Sequence, residues 1–223
     1  MSLPHASTLS PAARASARFW DRMARRYAAA KIGDPGGYEN TLRRVAALLD
    51  PAHEVLELGC GTGTIALRLA AGVHRWQGTD VSAAMVAIAR DKLAAAPQPG
   101  LRFEQADVLG ALAPPSAWDA VVAFNLLHLV SDLDHALQGA VQALRPGGLL
   151  ISKTPCISEM NPLIPWLALP VMRAIGKAPP VLRFDADVLR SAIARQGMDI
   201  VSVERHGTRG KDFRVFIVAR KPG

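Results

Sequence analysis

Sulfur and aromatic side chains are scarce in this chain. Its 223 residues hold 2 cysteines, 2 tyrosines, 4 tryptophans and 6 phenylalanines. Cys60 and Cys156 lie far apart and form no CxxC pair, which argues against a disulfide framework and a cysteine-built zinc site. Long apolar runs are also lacking. The most apolar stretch, Leu163 to Met172, is too short for a bilayer and is broken by Pro165 and Pro170, so no transmembrane segment is expected. The first residues lack the apolar core of a secretory signal, and a reduced, cytoplasmic setting is expected. Acidic residues are in deficit, 19 against 26 Lys plus Arg, for a formal net charge of +7. Such a surplus raises nucleic acid, phospholipid or an acidic metabolite as partner. The positive residues are mostly arginines spread through an Ala- and Pro-rich chain, with only Arg14, Arg18, Arg22, Arg25 and Arg26 clustered. A general skew of composition is therefore preferred; no nucleic-acid partner is expected, and peripheral membrane contact stays open.

What the chain does contain is enough apolar material for one folded unit. Hydrophobic residues make up 50% and charged residues 20%, which suits a single α/β domain over residues 1–223. Residues 1–12 read as a loose leader. Phe19, Trp20, Met23 and Tyr27 return at three- and four-residue steps and predict a helix from Ala13 to Ala30. Asp34-Pro35-Gly36-Gly37 reads as a break, followed by a helix from Tyr38 to Leu49. Residues 13–49 thus form an N-terminal helical cap.

Strands and helices then alternate. Strands are expected at Glu54–Leu58, Val73–Thr79, Leu101–Ala106, Trp118–Phe124 and Leu149–Lys153. Helices are expected at Thr64–Ala71, Ser82–Ala96 and Asp132–Leu144, the last stopped by Arg145-Pro146-Gly147-Gly148. This order predicts a doubly wound, mostly parallel sheet, because parallel strands need helical crossovers. A helix from Ala186 to Gln196 stops at Gly197, a good C-cap. Asp199–Glu204 and Phe213–Ala219 are joined by a short loop, so the last strand runs antiparallel.

The strongest motif is Val55-Leu56-Glu57-Leu58-Gly59-Cys60-Gly61-Thr62-Gly63-Thr64. A strand ends in a glycine turn that feeds a helix, presenting backbone N–H groups at the carboxyl edge of the sheet, where doubly wound folds bind ligands. A dinucleotide fold favours G-x-G-x-x-G. Here Gly59, Gly61 and Gly63 read G-x-G-x-G with Thr at 64. Glu57 would repel a pyrophosphate but could accept from an ammonium group, which suits an amino-acid-bearing nucleoside. Asp80 ends the second strand about twenty residues on, where an acid for a ribose is expected. Cys60 reads as a small residue of the turn.

These residues resemble motif I of the class I SAM-dependent methyltransferases, of the small-molecule branch that includes quinone-biosynthesis enzymes. Thr79-Asp80-Val81-Ser82-Ala83-Ala84-Met85, Gln105-Ala106-Asp107-Val108, Phe124-Asn125-Leu126-Leu127-His128 and Leu144-Arg145-Pro146-Gly147-Gly148 continue the resemblance. It covers residues 18–155 and the final hairpin. It implies a Rossmann-like seven-stranded sheet of order 3-2-1-4-5-7-6 with the last strand antiparallel, and S-adenosyl-L-methionine (SAM) as cofactor. In the family, the acid matching Asp80 takes both ribose hydroxyls, the residue matching Met85 packs on the adenine, and the segment of Asp107 and Val108 receives the adenine amino group. Asn125 and Leu126 fall in the run beside the sulfonium. An equivalent of Tyr27 reaches over SAM from a lid helix. Glu57, Gly59, Cys60, Gly61, Gly63 and Val81 complete the implied cofactor site.

Methyl transfer from SAM needs alignment more than acid–base help, since the leaving group is already activated. Where the acceptor must lose a proton, His128 after the fourth strand is the candidate base. Residues 155–184 carry Pro155, Pro162, Pro165, Pro170, Pro179 and Pro180 among Leu163, Ile164, Trp166, Leu167, Leu169 and Met172. They read as an apolar lid, which implies a small apolar or aromatic acceptor; packing or a homodimer contact is the other use of such a segment. A nucleic-acid methyltransferase is disfavoured because Asn125-Leu126-Leu127-His128 lacks the Pro-Pro-aromatic pattern of the amine-methylating enzymes. A SAM-binding module without turnover and a nicotinamide oxidoreductase are further alternatives, the latter opposed by Glu57 and the missing third phosphate-loop glycine.

Overall fold

The structure, a computed structural model, describes residues 9–108, 115–161, 163, 164, 166, 169–174, 178–210 and 212–223. Two helices lead the chain, α1 (Pro11–Ala29) and α2 (Pro35–Leu48). Both open on the same chemistry: a polar N-cap followed by proline, whose fixed φ and missing N–H suit the first helical position. The Ser10 hydroxyl accepts from the Ala13 N–H at 3.1 Å, and the Asp34 carboxylate accepts from Gly37 N–H at 3.0 Å. The sequence expectation of a loose leader through residue 12 is corrected here, because Ser10-Pro11 is a start signal. So is the expected break at Asp34-Pro35, where α2 begins.

The remaining elements are β1 (Glu54–Leu58), α3 (Ala66–Leu69), β2 (Arg75–Asp80), α4 (Ala83–Ala95), β3 (Leu101–Gln105), β4 (Trp118–Phe124), α5 (Leu133–Ala143), β5 (Leu144–Pro155), α6 (Leu169–Ala174), α7 (Ala186–Arg195), β6 (Asp199–Glu204) and β7 (Arg214–Arg220). The strands form one sheet of order β3-β2-β1-β4-β5-β7-β6. β1 to β5 pair in parallel, while β7 runs antiparallel to both β5 and β6. This is the topology implied by the resemblance.

The central strands are buried on both faces, so they read as near-continuous apolar runs rather than alternations. On one face Leu56, Leu58, Val121 and Leu150 meet Leu137 of α5 and Leu189 and Ile193 of α7. On the other, Val55, Trp76, Phe103 and Phe216 meet Val45 of α2 and Val86 of α4. Arg145-Pro146-Gly147-Gly148, expected as a turn before the fifth strand, is an irregularity within β5: Leu144 already pairs with Trp118, and the register shifts between Trp118 and Ala120. Gly147 takes φ 79 there, and the Arg145 guanidinium spans Asp119 at 2.6 Å and Glu54 at 2.9 Å. That ionic cluster secures the amino-terminal edge of the sheet and leaves the carboxyl edge for the site. Among the described residues, no helix is long and apolar enough to cross a membrane.

Candidate active site

A cleft of about 310 Å³ opens over the carboxyl ends of β1 to β4. The glycine turn after β1 sets its floor. Gly59, Gly61 and Gly63 take φ of 65, 53 and 73, a left-handed region open chiefly to glycine. Their roles differ. Gly59 and Gly61 line the cleft. Gly63 does not: a Cβ there would lie 2.6 Å from Phe103 Cζ and 3.0 Å from Ala89 Cβ, so this glycine lets the turn pack against β3 and α4.

Asp80 ends β2 and fixes the turn. Its Oδ2 accepts from Gly61 N–H at 2.9 Å and its Oδ1 from Ser82 N–H at 2.9 Å. A carboxylate offers about four lone-pair sites, so both oxygens can still accept from further donors in the cleft. Burial is the largest influence on this group and holds its pKa above the usual carboxylate range despite the two N–H donors. Val81, Met85, Asp107, Val108, Asn125 and Leu126 also line the cleft. Asn125 takes φ 53, one of the few left-handed positions that a non-glycine tolerates, and its N–H donates to the Lys153 carbonyl at 2.8 Å. Backbone strain of this kind concentrates at ligand sites.

α1 roofs the cleft, running from the tip of β3 past β2 to β1. Ser10 Oγ donates to Asp107 Oδ2 at 3.2 Å. Asp21 Oδ1 accepts from Ser82 Oγ at 2.6 Å and from Ala84 N–H at 3.1 Å. Tyr27 at the far end lines the cleft beside Gly61, its ring packed edge-to-face with Trp20 at 6.1 Å. Burial, then the charges of Asp80 and Glu57, raise the Tyr27 pKa, so its hydroxyl stays a donor at neutral pH.

Four residues expected in the site are absent from the lining of this cleft: Glu57, Cys60, Gly63 and His128. Glu57 is 2% exposed and accepts from Trp76 Nε1 at 3.0 Å. Desolvation raises its pKa to about 8, with the Trp76 bond opposing and the charge of Asp80 adding. Its place on β1 points it under the turn, because residue 57 shares a face with Val55 and not with the strand tip. Cys60 donates its N–H to the Thr79 carbonyl at 2.9 Å, and its buried thiol is raised well above its ordinary pKa, as a packing residue requires. His128 is 9% exposed, its carbonyl accepts from Leu182 N–H at 2.7 Å, and its buried Nδ1 meets no partner among the described residues. Burial and the charge of Arg214 push its pKa down to about 4. A base that weak captures protons poorly at neutral pH, so this geometry gives the expected role of His128 no support.

Sequence reasoning missed other members of the lining: Ala12, Ser16, Phe19, Leu129, Val130 and Ser131. The aromatic spacing in α1 was the available signal for Phe19; the loop after β4 had none beyond its position. Of the expected lid, Pro179 and Pro180 reach the cleft. Pro162, Pro165 and Leu167 lie outside the described residues.

The sheet thus gathers two strand-tip carboxylates, a left-handed glycine turn and a helical roof around one cleft. Residues 55–148 match the family described as methyltransferase domain. A methyltransferase of Mycobacterium tuberculosis is 35% identical over 96 residues, covering 43% of this chain and 47% of the relative. The 27-O-demethylrifamycin SV methyltransferase of Amycolatopsis mediterranei is 35% identical over 111 residues, covering 48% and 41%. The chain thus spans about half the length of these curated relatives. Among solved structures, magnesium protoporphyrin IX methyltransferase of Synechocystis, with bound SAH, superposes at TM-score 0.70 with 20% identity, covering 94% of this chain and 99% of that one. Over residues 55–148 the chain is thus similar to methyltransferase domains, and its fold is that of solved SAM-dependent methyltransferases.

Proposed function

We propose that the protein transfers a methyl group from SAM to a small, largely apolar acceptor. The observation that carries this reading is the convergence of Asp80, Asp107, Met85 and the bare backbone of Gly59 and Gly61 on one cleft. Its volume of about 310 Å³ falls at the lower end of the usual ligand range, roughly 300–1,000 Å³. The residues fit the cofactor. Asp80 keeps acceptor sites for ribose hydroxyls, Asp107 lies at the next strand tip for an amino group, and Gly59, where a Cβ would lie 2.7 Å from Leu126 Cδ1, and Gly61 leave bare backbone at the turn.

SAM supplies an activated methyl group whose sulfonium charge disappears on transfer. The protein's contribution is placement: Asp80 and the glycine turn fix one end of the cofactor, while Tyr27, Trp20 and Phe19 of α1 cover it and keep water out. Holding both reactants in line is worth about 7–11 kcal/mol in favourable cases. The lining is mostly apolar, a setting that disfavours a charged sulfonium and favours its neutral product. We assign residues 13–49 as the cap, residues 155–184 as the acceptor-side cover, and no general base to His128.

The acceptor class rests on Leu129, Val130, Pro179 and Pro180, which form an apolar wall past Asn125. Two similar proteins act, by their names, on demethylrifamycin SV and on magnesium protoporphyrin IX; for this chain the wall itself supports an apolar acceptor. A melting-point panel tests the cofactor: SAM and S-adenosylhomocysteine should raise the transition while NAD and NADP leave it unchanged. Incubation with SAM and a metabolite extract should then yield a product heavier by one methylene. Stabilisation by NAD instead would overturn the assignment.

A further inference from the structure

We propose that Lys92 of α4 is a positioning residue for the cofactor: it locks one peptide plane of the glycine turn and so sets the affinity for the amino-acid end of SAM. The inference rests on the proposed cofactor, whose amino-acid tail lies on that turn while Asp80 and Asp107 take the nucleoside. α4 meets the turn along one stripe of its surface, since Met85, Ala89 and Lys92 recur at helical spacing. Met85 lines the cleft. Ala89 packs so closely on Gly63 that a Cβ at the glycine would lie 3.0 Å from its own. Lys92 goes one residue further along the turn, its ammonium donating to the Thr62 carbonyl at 3.0 Å and to the Thr62 hydroxyl at 3.0 Å.

The peptide joining Thr62 to Gly63 is thereby held at both polar ends. Its carbonyl accepts from Lys92, and its N–H, that of Gly63, donates to the Cys60 carbonyl at 3.0 Å. Gly63 takes φ 73, and beside a residue without a Cβ a peptide plane turns over with little steric hindrance. The next residue back is Gly61, whose N–H is bound to Asp80 and whose backbone lines the cleft. A turned plane at Thr62–Gly63 would therefore disturb the floor on which the tail rests. Thr62 is buried, so water does not replace a donor lost from its carbonyl. Lys92 stands in the last turn of α4, where a cation ordinarily serves the helix's own free carbonyls, yet its ammonium leaves the helix for Thr62. Among the described residues it pairs with no carboxylate, and burial lowers its pKa. The two bonds to Thr62 are what offset that burial.

Calorimetric binding of two probes to the full chain tests it: S-adenosylhomocysteine, and methylthioadenosine, which has the same nucleoside and thioether without the amino-acid tail. Lys92→Met keeps an unbranched side chain of good helix preference and removes the donors. It should bind S-adenosylhomocysteine at least about tenfold more weakly and methylthioadenosine within about twofold of wild type. Lys92→Arg, which restores a cationic donor, should recover most of the loss. In the ligand-free chain, amide exchange at Gly63 read by NMR should rise in Lys92→Met and stay near wild type in Lys92→Arg. A loss shared equally by the two probes would signal general damage and overturn the proposal, as would wild-type affinity for S-adenosylhomocysteine in Lys92→Met. Unchanged Gly63 exchange in Lys92→Met would remove the peptide lock and leave the cofactor reading intact. Binding of neither probe by the wild-type chain would instead remove the cofactor reading, and the affinity claim for Lys92 with it.

Discussion

Ser10 and Asp107 meet across 97 residues of sequence, the hydroxyl that caps α1 donating to the carboxylate at the tip of β3 at 3.2 Å. One side chain thereby serves two purposes: it accepts from the Ala13 N–H to start the helix, and it ties that start to the cleft. Asp21 repeats the arrangement about three turns of helix later, on Ser82 and Ala84. The roof of the site is therefore latched to the strand tips that the cofactor must reach.

Ser10→Ala removes cap and latch together. Loss of a helix cap costs about 0.5–2 kcal/mol, and the first turns of α1 should fray. Amide hydrogen exchange should rise over residues 11–20, and SAM should dissociate several-fold faster while β-strand protection stays unchanged. Unaltered exchange in α1 would show that the latch contributes nothing.

Asp80 carries a larger load, because its carboxylate accepts two backbone N–H groups as well as facing the cleft. Asp80→Ala leaves both donors without that partner, at about 1–3 kcal/mol for each that stays buried. Asp80→Asn keeps one acceptor oxygen and separates the two roles. We expect calorimetry to find SAM binding abolished in Asp80→Ala and weakened more than tenfold in Asp80→Asn, with about a 1–3 kcal/mol loss of stability in the second. Wild-type affinity in both variants would refute the ribose assignment.

The sheet and the outline of its site were legible because local signals and global fold agree there. β4 and β6 run as the patterns of residues 118–124 and 199–204 predict, and the glycine turn falls at the strand end where open backbone is needed. The errors have local causes. Ser10-Pro11 and Asp34-Pro35 look locally like leader and break, yet serine or aspartate before proline is also how a helix begins. The Arg145–Gly148 run looks like a turn in isolation, and only pairing with Trp118 makes it part of β5. The depth of Glu57 and His128 was not legible, since the segments that meet them, at Trp76 and Leu182, are distant in sequence, as is Arg214, whose charge lowers the His128 pKa.

Glu57 makes the free protein sensitive to pH. Its pKa rises from an ordinary 4.5 to about 8 on folding. The native state then holds a proton that the unfolded chain releases, so stability is full below pH 4.5 and declines as pH rises toward 8. The decline attributable to this group is roughly 4–5 kcal/mol. Glu57→Gln keeps an acceptor for Trp76 and cannot ionise. Its chemical denaturation midpoint should match wild type at low pH and exceed it at pH near 8, with SAM affinity changed less than about threefold if the ammonium group is held elsewhere.

His128 acts with the opposite sign. Its pKa falls from an ordinary 6.5 to about 4 in the native state, so the unfolded chain takes up the proton first. Its contribution is complete above pH 6.5 and is lost as pH falls toward 4, by roughly 3 kcal/mol. His128→Gln should flatten this acid limb of the stability curve and leave the Glu57 limb in place. Because a neutral imidazole of such low basicity lies off the cleft lining, methyl transfer by the variant should stay within a few-fold of wild type across neutral pH. A fall of more than a hundredfold in kcat, with SAM binding intact, would instead make His128 the proton acceptor and require the loop after β4 to turn it toward the acceptor.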